Sequence, residues 1–108
     1  MHGFRECINI GCVIASFGDS ATEALYHGGR ASRFRSIPTQ IRDAALRKLD
    51  VLDAAVQLDE LRTPPGNHLE ALAGNLSGFH SIRINRQWRL IFRWRDGDAY
   101  DVAIVDYH

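Results

Sequence analysis

The hydrophobic and polar positions of this chain change their period as the chain proceeds. Residues 1–12 show no period. Val13-Ile14-Ala15-Ser16-Phe17 is a short apolar run closed by Gly18-Asp19, which predicts a first strand. Ser20 is a natural N-cap, and a short helix follows through Ala21, Ala24, Leu25 and Tyr26 to Gly28-Gly29. The strongest helix comes next. Pro38 suits a first helical position, and Ile41, Ala45, Leu49, Leu52 and Val56 recur at helical spacing. Arg42, Arg47, Lys48, Asp50 and Asp53 occupy its other faces. Leu58 and Leu61 extend the apolar material until Thr63-Pro64-Pro65-Gly66-Asn67 breaks the chain, because proline lacks the donor that another turn needs.

Beyond that break the period falls to two. His80, Ile82 and Ile84 alternate with Ser81, Arg83 and Asn85. Trp88, Leu90, Phe92 and Trp94 alternate with Arg89, Ile91, Arg93 and Arg95, and Tyr100, Val102 and Ile104 with Asp101, Ala103 and Val105. These are three half-buried strands joined by turns at Asn85-Arg86-Gln87 and Asp96-Gly97-Asp98. The order predicts an α+β fold: an antiparallel-dominated sheet, built from one N-terminal strand and a three-stranded C-terminal meander, with helices on one face. Keeping the apolar faces together pairs Ile82 with Leu90, Leu90 with Ile104 and Phe92 with Val102. Arg83 then faces Arg89, Arg93 faces Asp101, Arg89 faces Val105, and Tyr107 lies on the open face diagonal to Arg89. A two-residue Asp96-Gly97 turn favours a register shifted by one, setting Phe92 against Asp101, and a bulge reconciles the two. Two arginines directly opposite repel. Either an external anion, a loop acid or water takes up their charge.

With 108 residues the chain fits one domain and buries a single core. Its longest apolar stretch is too short to span a bilayer, and no basic leader with a small-residue cleavage site is visible. No membrane is therefore expected. Cys7 and Cys12 lack a second ligand pair, so neither zinc nor another metal or cofactor is called for; free thiols in a reducing, cytoplasmic setting are expected. The net charge of zero hides segregation. Arg30, Arg33, Arg35, Arg42, Arg47 and Lys48 form one basic group, and Arg83, Arg86, Arg89, Arg93 and Arg95 another with no acid inside it. A positive face for phosphates is compatible with overall neutrality, as is a merely solvated surface.

Three of these segments carry a family likeness. LRTPPGNHLEALAGNLSGFHSIRINRQWRLIF and the ending DVAIVDYH, with the helical IPTQIRDAALRKLDVLDAA, resemble HigB-type toxins of the RelE/ParE superfamily. The likeness spans residues 13–108, and leaves 1–12 as an N-terminal extension. It is most specific in SIRINRQWRLIF and the terminal Asp-Tyr-His. The resemblance implies a compact α+β toxin that cuts mRNA in the ribosomal A site. It also implies a helix-turn-helix, HigA-like antitoxin that inhibits the toxin and brings it to operator DNA. It supports Asp106, Tyr107 and His108 as catalytic groups with Arg89 on the phosphate, and Arg83 as a further contact. Arg86 and Arg93 join them as phosphate-binding candidates on the same basic strands. The chain departs from the family at Glu70 and Ala73, where relatives can carry a histidine and a lysine. That departure implies a weaker nuclease.

The chemistry is intelligible from the residue types. Metal-free cleavage needs a base for the 2′-hydroxyl, an acid for the leaving 5′-oxygen and cations for the phosphorane charge. Histidine titrates near neutrality, arginine is permanently charged and can hold two phosphate oxygens, and tyrosine can stack on a splayed base. His68 and His80 lie near the same segment, but His80 falls on the apolar strand face as an edge-of-core residue. Two rival readings share the fold: a ParE-like toxin acting on DNA gyrase, and a binding module that works only in an antitoxin–operator complex.

Overall fold

The computed structural model describes residues 13–106, so Tyr107, His108, Cys7 and Cys12 lie outside the described residues. Helix α1 spans Ser20–His27 and helix α2 spans Thr39–Ala54. Strands β1 (Glu70–Ala71), β2 (Phe79–Arg83), β3 (Trp88–Arg95) and β4 (Asp98–Asp106) form one antiparallel sheet in chain order. Helix α2 packs on β3 and β4, and Ile41, Ala45, Leu49 and Leu52 meet Ile82, Leu90, Phe92, Val102 and Ile104 in the core. This is the α+β layer arrangement expected from the pattern. No helix among the described residues is long and apolar enough to cross a membrane.

The ends of the elements differ from expectation, each for a local reason. Asp19, not Ser20, caps α1, its carboxylate accepting the Thr22 amide at 2.7 Å. Pro38 occupies the cap position of α2, one place before the first helical residue. The helix stops at Ala54, and Val56 is left 65% exposed outside the core. The Glu60 carboxylate takes the Val56 and Gln57 amides and starts a 3-10 turn over Leu58–Arg62, which buries Leu61 instead.

The first strand is not continuous. Residues 13–18 run parallel to β4 and make isolated bridges, Ile14 with Ala99 and Phe17 with Val102. Gly18 touches β4 so closely that a Cβ there would stand 2.8 Å from the Asp101 carbonyl oxygen. Glu70–Ala71, where the pattern predicts no element, supplies the fourth strand of the sheet.

The two registers for the last hairpin are both present. Ile82 pairs with Leu90, Arg83 with Arg89, Arg89 with Val105 and Leu90 with Ile104, as the apolar match requires. Near the turn the order follows the turn instead: Arg95 pairs with Asp98, Trp94 with Ala99 and Arg93 with Tyr100. Asp96 and Gly97 have φ of 54° and 83°, the pair of positive angles of a type I′ turn. Asp101, at φ 54°, absorbs the difference where the register shifts. The bulge turns Tyr100 outward and puts Ala99 in the core, which corrects the expected Tyr100–Val102–Ile104 face.

Candidate active site

Alternation along the sheet sets Glu70, Ser81, Arg83, Arg89, Ile91, Ala103 and Val105 on the face away from the helices. Glu70 pairs with Ser81, Ser81 with Ile91, and Arg89 stands between Arg83 and Val105. The Arg89 guanidinium comes within 3.7 Å of the Glu70 carboxylate. The repulsion between Arg83 and Arg89 is thus relieved by an acid, and it comes from the short strand β1. Arg83 turns its Nε toward the Asn85 carbonyl, at 3.3 Å.

Arg89 is less open than an outward strand residue is expected to be: its side chain is 12% exposed, against 51% for Glu70. Held in that way, a guanidinium keeps its orientation, and the half-exposed carboxylate forms the rim beside it. Ser81, fully buried between them along the sheet, has a hydroxyl without a hydrogen-bond partner among the described residues.

Among the described residues, the other predicted ones, Arg93, Arg86 and Asp106, do not converge on this spot. Arg93 lies four residues along β3, about 13 Å away at the usual rise per strand residue. It is bound to Asp101 at 3.3 Å and sits 4.4 Å over the Phe79 ring. Arg86 is exposed in the turn before β3. Asp106 pairs with Trp88, one step of the pleat off the Arg89 row, and its carboxylate accepts both bonds from the Gln87 amide at 3.2 Å. Sequence reasoning overlooked Gln87. Its cue was Asn85, whose side chain accepts the Gln87 and Trp88 amides at 2.8 Å and fixes the turn.

His80 stacks on Phe92 with ring centroids 6.0 Å apart, on the helix side of the sheet. Burial holds its pKa below the ordinary histidine value. It is the edge-of-core histidine that the alternation predicts. His68 is exposed in the loop before β1. Of the first basic group, Arg30, Arg33 and Arg35 are exposed on the connection between the helices, remote in sequence from the sheet face. Arg42 instead braces that connection, donating to the Ile37 carbonyl at 2.8 Å and the Phe34 carbonyl at 3.3 Å. Among the described residues no three His, Cys, Asp or Glu side chains gather as metal ligands.

A charged sheet face of this kind is found in many folds, and the sequence decides which family this one represents. The profile of HigB-like toxins, described as the RelE-like toxin of the type II toxin–antitoxin system HigB, matches residues 15–108. The chain belongs to the HigB-like toxin family. Toxin HigB-1 of Vibrio cholerae serotype O1 is 51% identical over 88 residues, covering 82% of this chain and 90% of that protein. Endoribonuclease HigB of Proteus vulgaris is 31% identical over 96 residues, covering 89% of this chain and 100% of the relative. The YoeB–YefM complex from Staphylococcus aureus shares the fold, with a TM-score of 0.55 at 20% identity over 88% of this chain and 97% of that one. The YoeB dimer from the same organism gives a TM-score of 0.53 at 22% identity. The resemblance seen in SIRINRQWRLIF and DVAIVDYH is borne out, and membership of a toxin–antitoxin family makes an antitoxin the partner of this HigB-like chain.

Proposed function

We propose that this HigB-like toxin is a ribosome-dependent endoribonuclease that cuts mRNA and so arrests translation and growth. The observation that carries the reading is Arg89, fixed and mostly buried on the open sheet face with a carboxylate beside it, in a chain similar to a protein named an endoribonuclease. A guanidinium so placed suits the equatorial oxygens of a phosphorane. Asp106 ends the strand that pairs with Arg89, Tyr107 and His108 follow it in sequence, and the three are the proposed catalytic set with Arg89. Arg83, Arg86 and Arg93 are proposed to hold flanking phosphates along the message. Work on ribosomes places the toxin in the cytoplasm. Its antitoxin is proposed to be a HigA-like helix-turn-helix protein that carries the toxin to operator DNA. The toxin domain is taken as residues 13–108, preceded by an extension.

The gyrase reading has no observation of its own here, and the family match is to HigB-like toxins. The test is His108→Ala in a primer-extension assay on translating ribosomes. Loss of one general acid or base should slow cleavage about 10²–10⁴-fold, while ribosome co-sedimentation and antitoxin binding persist. A wild-type chain that cuts and a His108→Ala chain that cuts equally fast would remove the C-terminal assignment. Gyrase-trapped DNA breaks without RNA cleavage would replace the reading altogether.

A further inference from the structure

The first basic group divides by what its members touch. Lys48 donates to Asn67, and Arg42 is taken up by the Ile37 and Phe34 carbonyls, with its guanidinium 4.8 Å over the Phe34 ring. Arg47 stands one helical turn from Asp43 on one side and from Asp50 on the other. Arg30, Arg33 and Arg35 are different. All three are exposed, and they make no ion pair or side-chain hydrogen bond among the described residues. From Ala24 to Arg42 the sequence contains no acid to offset them.

The backbone that carries these three arginines is held in place. The Arg33 amide donates to the Arg30 carbonyl at 2.9 Å in the 3-10 turn Ala31–Phe34, and the Ile37 amide donates to the Phe34 carbonyl at 3.0 Å. Ile37 is buried in the core, and Arg42 braces its carbonyl and that of Phe34 from α2. Arg30 and Arg33 are thus set one turn apart, about 6 Å at the 3-10 rise, a spacing that suits neighbouring phosphates of one strand. The turn packs against α1 in the helix layer, whereas the Arg89 face looks away from the helices, so one nucleotide cannot meet both. Nothing apolar accompanies the charge, although protein partners need such an anchor at the centre of an interface. The exposed large hydrophobic side chain among the described residues is Val56, past the opposite end of α2. A helix of that length separates the two by about 24 Å.

We propose that Arg30, Arg33 and Arg35 form a second RNA-binding surface, which docks the toxin on the phosphate backbone of folded ribosomal RNA while Arg89 faces the message. The proposal rests on the ribosome-dependent reading above. Arginines on a backbone grip charge without reading bases, so this surface supplies affinity and orientation and leaves codon choice to the sheet face.

The experiment sediments three proteins with ribosomes over a range of salt concentrations and follows cleavage on the same ribosomes. They are the wild type, a triple variant with Arg30→Gln, Arg33→Gln and Arg35→Gln, and the corresponding triple lysine variant. The glutamine variant should bind at least about tenfold more weakly at about 0.1 M salt. Its plot of log affinity against log salt should be shallower by about 2, because each lost phosphate contact removes roughly 0.7–0.9 from the slope. Cleavage at saturating ribosomes should match wild type with the half-saturating concentration raised, and antitoxin binding should be unchanged. The lysine variant keeps the charge and should keep the wild-type slope. Wild-type affinity and slope in the glutamine variant would overturn the proposal and leave the ribonuclease reading intact. A loss of antitoxin or operator-complex binding in place of ribosome binding would also overturn it, and would give the surface to a protein or DNA partner. If the lysine variant loses as much as the glutamine variant, the conformation of the turn and not its charge is responsible, and the proposal fails. If wild-type toxin binds ribosomes but cuts nothing, the ribonuclease reading falls and sedimentation still decides the surface. If it does not bind ribosomes, both fall.

Discussion

Two groups of buried polar side chains are treated differently. Asp53, Thr22 and Asn67, which tie loops and helix ends to the core, have partners. Asp53 takes the Val13 and Ile14 amides on Oδ1 at 3.0 Å each, and the Tyr26 hydroxyl on Oδ2 at 2.9 Å. Thr22 Oγ1 accepts the Ile104 amide at 2.9 Å, which ties α1 to β4. Asn67 donates to the Leu61 and Thr63 carbonyls and accepts from Lys48, joining the proline-rich loop to α2. Around β2 the Ser81 hydroxyl and His80 Nδ1 are buried without a hydrogen-bond partner among the described residues, and the Glu70–Arg89 pair is long. A buried unpaired group costs about 1–3 kcal/mol, so fully satisfied groups mark architecture and under-satisfied ones mark the region where stability was not the only requirement.

The comparison breaks most visibly at Asp53. Replacing it by alanine strips an ionised acceptor from three donors, each worth roughly 1.5–3 kcal/mol, so the unfolding free energy should fall by at least about 3 kcal/mol. Chemical denaturation measures it, and a loss under about 1 kcal/mol would show that the 13–18 segment holds without this anchor. Arg89→Ala should have its main effect in the other currency. Removing one phosphate donor typically costs about 10²–10³-fold in rate, and cleavage should drop by that much with ribosome binding weakened but present. If toxicity survives and only the melting temperature falls, Arg89 belongs with the architectural group.

A smaller effect is expected at His80. Its pKa is lowered by burial, so the folded chain binds a proton less readily than the unfolded chain. Stability should be complete above the unfolded value of about 6.5 and should decline as pH falls below it, through the depressed folded value. His80→Gln should flatten that decline between pH 7 and pH 5 in denaturant titrations, and an unchanged slope would remove His80 as its source. The smallest change is Ser81→Ala. Deleting an unpartnered hydroxyl should leave stability level or raise it by up to about 1 kcal/mol, with cleavage unaltered. A clear loss on calorimetry would mean that the hydroxyl does bind something in solution.

The hairpin shows how far the pattern could be read. Both the apolar match at Leu90–Ile104 and the turn match at Arg95–Asp98 were legible, because each depends on a few neighbouring residues. That Asp101 would carry the bulge was not, since many residues can absorb one extra step. Asp53 read as a polar helix position. Its partners Val13 and Ile14 lie 40 and 39 residues away, and no local period encodes such a contact. Glu70 read as a departure from the family and a loss of function. Only the two-residue strand β1, too short for any period, carries it to Arg89.

What the sequence determined by itself is therefore the layer order, the core face of α2, the opposition of Arg83 and Arg89, and the family. Each of these follows from side chains at fixed short spacing, where the backbone geometry alone decides which residues share a face. What only the tertiary structure decided is which acid meets Arg89, which carboxylate anchors the chain's first segment, and where β4 changes phase. These depend on loops closing over long separations, and the free energy of such contacts comes from the finished packing around them, not from the residues that happen to be neighbours along the chain.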